Sequence, residues 1–239
     1  MSQPPPAAAL PTSAGHQIVL GSTCWVLTVL FFVGQATAQA AVTTRFSLVA
    51  NDISDLGRAT CGPFSLGTYH TEVCSPLHTV MNGTFVVVGL LLVVGAVALR
   101  RAWPQRRLTT VGIVLLALAG AGQVLAGLSP EDVNGGLHVL GALFGIPLPP
   151  IAILLLAASV GPVDRMVVVL SVTLGLAGIV GLALMIAAPG LLGVGATERL
   201  AAYPTYVWTI AIGSIVLARR ASTTGADQAV AHPGGQSKR

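Results

Sequence analysis

Charge is what this sequence lacks most. Only 8% of its 239 residues are Asp, Glu, Lys or Arg, 54% are hydrophobic, and the mean hydropathy is +0.82. A soluble domain of this length has no core large enough to hide so much apolar surface, so that class is excluded. Residues 1–17 contain no Lys or Arg. The basic start of a secretory signal is therefore missing, although the small residues at 36–40 resemble a cleavage site, and a retained first span is expected. No nucleotide, redox or protease signature is present, nor a helical HxxxH pair. Residues 1–128 and 129–239 do not repeat one another, as the halves of many transporters do.

What is present is six long apolar runs, at 18–39, 81–99, 108–128, 137–160, 166–188 and 201–218. Each has about the 20 residues that a helix needs to cross a bilayer. The spans of a β-barrel alternate polar and apolar residues, whereas the run Val86-Val87-Val88-Gly89-Leu90-Leu91-Leu92 does not. The fold class is all-α: a polytopic membrane protein with six transmembrane helices in one bundle, residues 18–218. The Pro-rich segment 1–17 and the polar segment 219–239 read as disordered tails.

Arginine sets the orientation. With the N-terminus inside, Arg100, Arg101, Arg106, Arg107, Arg165, Arg219, Arg220, Lys238 and Arg239 fall on the inner side, and only Arg45, Arg58 and Arg199 outside. This bias places both termini in the cytoplasm of a plasma membrane, the bacterial inner membrane. It also accounts for the net charge of +4, so nucleic acid is not an expected partner. The 100–107 segment could grip anionic headgroups, with Trp103 at the interface.

Two of the three cysteines, Cys61 and Cys74, share the long external loop. An exported loop meets an oxidising compartment, so a disulfide is expected. A Cys/His metal site with His70 and His78 is the alternative, but no recognised zinc spacing supports it. Cys24 reads as a packing residue in the first span.

Polar residues in or beside the spans crowd the outer third: Gln35 and Gln39, Asn82, Gln123 and His138. Groups of this kind are costly in hydrocarbon and should face the bundle. His138 shares a helical face with the pair Gly141 and Gly145, and Asn82 heads a seam with Gly89 and Ala96. The loops above add Ser54, Asp55, Asp132, Glu198 and Arg199. The candidate polar cluster is therefore Ser54, Asp55, Asn82, Asp132, His138, Glu198 and Arg199, forming an outward vestibule. Each also has a structural reading: Ser54–Gly57 as a turn or cap, Glu198 as an acid near a helix start.

The segment Gly145-Ile146-Pro147-Leu148-Pro149-Pro150 should bend or break the fourth span. Such breaks line substrate sites in transporters, but a bend is the preferred reading. The apolar loop 189–195 should lie along the outer membrane surface. Tyr203, Tyr206 and Trp208 read as part of an aromatic belt.

The order Ile53-Ser54-Asp55-Leu56-Gly57, Met81-Asn82-Gly83-Thr84-Phe85, Pro130-Glu131-Asp132 with His138, then Glu198-Arg199-Leu200 resembles bacterial multi-pass proteins grouped as domain of unknown function 998. The resemblance implies a six-helix membrane fold with an outward polar cluster and no particular reaction. A fainter likeness to Frag1/Dram/Sfk1-type six-pass proteins suggests lipid handling by fold analogy. A non-enzymatic, lipid-handling or envelope accessory protein is the favoured reading. Its expected partners are membrane lipids, with a membrane-protein partner or second copy left open, and no cofactor or metal is expected. The alternatives are a metal-dependent lipid hydrolase using Ser54, Asp55, His70, His78, Asp132 and His138, and a small-solute transporter.

Overall fold

A computed structural model describes residues 12–231. Apolar sequence becomes helix here because hydrocarbon offers no partner to a free N–H or C=O, so backbone bonds close within each segment. The helices are α1 (Thr12–Val26), α2 (Leu30–Ala40), α3 (His78–Leu99), α4 (Arg107–Leu128), α5 (Gly135–Gly145), α6 (Leu148–Val160), α7 (Arg165–Ala187) and α8 (Val194–Ala231). A 3-10 turn, Leu27–Val29, joins α1 to α2, and α5 and α6 are two halves of one span. Six segments are long and apolar enough to cross a membrane.

The helices pack in sequence order, α3 on α4, α4 on α5 and α6, α6 on α7 and α7 on α8, with α1 between α3 and α8. On α3, Met81, Phe85, Val88, Leu92, Ala96 and Leu99 are buried, while Val87, Leu90, Val94 and Val97 are exposed. Both sets step by three and four residues, so one face meets the bundle and the other meets lipid. Glycine permits the closest crossing. A Cβ on Gly89 would lie 2.6 Å from the Gly120 carbonyl oxygen, and one on Gly120 would lie 2.5 Å from that of Gly89, so α3 and α4 touch backbone to backbone.

The two ends of the bundle differ. At one end, the connection 100–106, the first residues of α4 and α7 (Arg107 and Arg165) and the latter part of α8 carry the arginines, which makes this the arginine face. There Arg219 pairs with Asp164, and Arg220 donates to the Gly15 carbonyl. At the other end, a long connection contains a 3-10 turn, Ser54–Gly57, and the strands β1 (Gly62–Leu66) and β2 (Tyr69–Val73). The strands form an antiparallel hairpin in the register Gly62↔Val73 to Leu66↔Tyr69. Gly67, with φ +61°, opens the two-residue turn where a hairpin needs a positive φ. Cys61 and Cys74 are disulfide-bonded at the base of the hairpin.

Several sequence expectations need correction. Trp103 and Trp208 are not interfacial: they are 7% and 0% exposed. Their ring centroids lie 6.0 Å apart, and Trp25 lies 5.1 Å from Trp208. Large rings fill the interior, and Trp208 Nε1 is spared desolvation by donating to Ser171 Oγ at 2.8 Å. Tyr206 likewise stacks on Phe31 at 3.9 Å instead of joining a belt.

The helical limits also run past the apolar limits. α1 begins at Thr12 and α8 continues to Ala231, so the described parts of the expected tails, 12–17 and 219–231, are helical. Once the span has nucleated a helix, adding residues such as Ala221, Ala226 and Ala229 is cheap. The rest of both tails lies outside the described residues. α8 also starts at Val194 instead of Ala201, which puts Glu198 and Arg199 within the helix.

The prolines of the fourth span do not kink a continuous helix. α5 ends at Gly145, and Pro149 and Pro150 lie in the first turn of α6, where the N–H that proline lacks has no helical acceptor anyway.

Candidate functional site

The loop between α2 and the hairpin is fastened at nearly every residue. Arg199 Nη1 donates to the carbonyls of Leu48, Asn51 and Gly195 at 3.0, 2.6 and 2.9 Å. The neighbouring Glu198 accepts the Ile53 N–H at 2.5 Å. Asp55 Oδ2 accepts from Asn51 Nδ2, the Tyr69 hydroxyl and the Thr71 hydroxyl at 3.0, 2.5 and 3.3 Å. Asn82 Nδ2, in the second turn of α3, donates to the Gly57 carbonyl at 2.7 Å. Asp132, before α5, accepts from Ala59 N, Thr60 N and Thr60 Oγ1 at 3.0, 2.8 and 2.7 Å. Ser54 Oγ meets His138 Nε2 at 2.9 Å.

All seven residues of the sequence-derived cluster thus act on one stretch of chain, 48–60. They do not converge on one point. Asp55, Asn82, Asp132 and Arg199 hold the loop from different sides, whereas Ser54, His138 and Glu198 line a common cavity of about 50 Å³. Phe31, Phe85 and Ala202 supply apolar wall, and Gln123 and Tyr206 add polar atoms. Tyr206 donates to Gln123 Oε1 at 2.9 Å, which leaves Gln123 Nε2 without a partner.

The cavity has a structural cause. α5 packs along α4 and meets α6 at the break, while α8 packs against α1 and α7. α5 and α8 therefore flank a gap, with Ala142 and Ile146 on one side and Ala202 on the other. α5 ends at Gly145, at the proline-rich break, and the cavity lies beside it. Leu140, Leu143 and Phe144 on its outer side are exposed, so this half-helix borders lipid.

Around the loop lies a set of acids that sequence reasoning left out of the cluster. Glu131 is buried, and its pKa is pushed up to about 9 by burial first and then by the charges of Asp55, Asp52 and Glu198. Asp52 moves in the same direction, through burial and then the charges of Glu198 and Asp55. Burial and the bond to Asp55 raise Tyr69 as well. Burial also pushes Asp132 upward, but the hydrogen bonds from Thr60 and Ala59 outweigh it and hold that carboxyl below its ordinary value. Arg58 is buried too, donating to the Gly62 carbonyl at 2.9 Å and lying 4.7 Å from the Phe64 ring centroid. Nothing in the linear sequence marks Arg58 or Glu131 as buried; a loop charge is ordinarily solvated.

The residues proposed as metal ligands do not assemble. His70 Nδ1 meets Ser65 Oγ at 2.8 Å on the hairpin, and His78 Nδ1 meets the Ser75 carbonyl at 3.1 Å at the start of α3. Among the described residues, no three His, Cys, Asp or Glu side chains form a group able to hold a metal ion.

Six apolar spans, a lipid-bordering half-helix and a polar cavity under a capped loop define a multi-pass helical membrane protein. The chain belongs to the family described as "Protein of unknown function (DUF998)", which matches residues 26–215. No curated protein and no solved structure matches it.

Proposed function

We propose that this protein handles membrane lipid from the leaflet on its hairpin face, taking one acyl-ester segment into the cavity between α5 and α8. The observation that carries the reading is the cavity itself: apolar wall from Phe31, Phe85 and Ala202 beside Ser54, His138 and Gln123. A lipid near its ester linkage has the same division, hydrocarbon joined to a few acceptor oxygens. The gap flanked by the half-helix lets a chain remain in the bilayer while its linkage enters.

Orientation belongs to the same proposal. The arginines at one face favour the cytoplasm for that face and for both termini, in the plasma membrane, and the Cys61–Cys74 disulfide at the opposite end suits an oxidising exterior. The cavity then opens to the outer leaflet.

Native mass spectrometry of protein released from gently solubilised membranes is the test. Lipid adducts should survive detergent removal, and Ala142→Leu, which enlarges a side chain on the cavity wall, should reduce them at least several-fold. A bare protein, or adducts indifferent to that substitution, would defeat the reading.

A further inference from the structure

We infer that Ser54 and His138 form an acyl-transfer pair that hydrolyses the ester of a membrane lipid. The inference rests on the lipid-handling reading and adds a reaction to it.

The tautomer follows from the hydrogen bonds. His138 Nδ1 lies 3.0 Å from the Ser129 carbonyl oxygen and 3.3 Å from that of Ala126. Carbonyls only accept, so Nδ1 carries the hydrogen and Nε2 presents its lone pair. The partner of Nε2, 2.9 Å away, is Ser54 Oγ, and the serine hydroxyl must therefore be the donor. A nucleophile is thus bonded to a base, and the base is oriented by a third group. Sequence places these residues 84 positions apart. Ser54 opens the 3-10 turn after the loop, and His138 lies in the first turn of α5, which Asn134 caps by accepting from Leu137 N at 3.3 Å.

The surroundings suit an ester. Both residues line the cavity, as does Gln123, whose buried Nε2 carries no partner and would supply a donor to an oxyanion on rotating toward the cavity. Glu198 acts through the backbone: by holding the Ile53 N–H at 2.5 Å it positions the residue just before the nucleophile.

The reaction balances with water as the only co-reactant. Ser54 Oγ bonds to the ester carbonyl carbon as its proton passes to His138 Nε2. The carbon–oxygen bond to the leaving alcohol then breaks, and that oxygen takes the proton from Nε2. Water, deprotonated by Nε2, attacks the acyl-serine, and Ser54 recovers its proton as the carboxylic acid departs. Nothing is oxidised or reduced.

The full-length protein in nanodiscs is treated with an alkyl fluorophosphonate, and release of acid from para-nitrophenyl octanoate is followed. The expected label falls on Ser54 by peptide mass, and Ser54→Ala loses both label and turnover. His138→Asn keeps an N–H for the Ser129 carbonyl but removes the base, so both rates should drop at least about 100-fold with thermal stability retained. Labelling of the wild type should rise with pH along a single imidazole titration, which a purely structural histidine would not produce. An unlabelled Ser54 with no turnover overturns the inference, as does turnover that survives Ser54→Ala. Lipid adducts persisting alongside that failure would leave the lipid-handling reading standing. A labelled Ser54 in protein that never retains lipid would instead remove that reading and keep the reaction.

Discussion

The two halves of the bundle are made from the same kind of helix but solve opposite problems. Toward the arginine face the interior is dry: Trp25, Trp103 and Trp208 pack with Leu92, Leu116, Ile153 and Leu156, and the Trp208 indole finds one local acceptor in Ser171. Toward the hairpin face the interior holds Glu131, Glu198, Arg58, Arg199 and His138, all buried. A dry core needs only volume and complementary shape. A polar one needs partners, and here a loop inserted between helix ends supplies many of them, to Arg199 Nη1, Glu198 and His138, while Arg58 Nη1, Arg199 Nη2 and Glu131 Oε1 keep none. The general point is that a membrane protein can carry ionisable groups below its surface when chain from outside the spans is folded down onto them.

That contrast can be broken most strongly in the dry half. Trp208→Ala should cost about 3–5 kcal/mol by opening a cavity, read as the loss of thermal stability in detergent. A loss under about 1 kcal/mol would mean that the three indoles are not the packing centre described above. In the polar half, Arg199→Ala strips three carbonyls of a donor and should cost about 1–3 kcal/mol. Its signature is spatial: hydrogen exchange should quicken in residues 45–60 and hardly change in α6 and α7. Uniform acceleration would show that Arg199 serves the whole bundle.

The comparison is sharpened further through pH. Glu131 titrates at about 9 in the folded protein, against an ordinary 4.5. Its native state holds the proton more tightly than the unfolded chain does. That contribution is therefore complete below the ordinary value and fades as pH climbs toward about 9. Asp52, displaced in the same direction, adds to the same slope. Melting temperature should fall from about pH 5 to about pH 9, and Glu131→Gln should flatten the fall. A stability that rises over this range would contradict the burial of these carboxyls.

How much could be read beforehand varied with the kind of interaction. The six spans were legible because hydrocarbon acts on every residue of a run, and twenty apolar residues leave few alternatives. Ser54, Asp55, Asn82, Asp132, His138, Glu198 and Arg199 were recognisable as a group because all lie beside one end of the spans. Their division of labour was not legible: four clamp the loop, and three face a cavity. Glu131 and Arg58 were left out of the cluster because burial of a loop charge depends on what folds over it. Trp103 and Trp208 were misplaced at the interface because composition reports that an aromatic is near a helix end, not which way the ring turns.

Sequence alone determined that this chain lives in lipid, how many times it crosses, and which ends of the helices collect arginine. Solvent preference sums over contiguous residues, so these properties need no knowledge of contacts. Only the tertiary structure decided that Ser54 meets His138, that Arg199 ties Leu48 to the start of α8, and that a gap remains beside α5. Each depends on distances between residues far apart in the chain, and no local pattern encodes those.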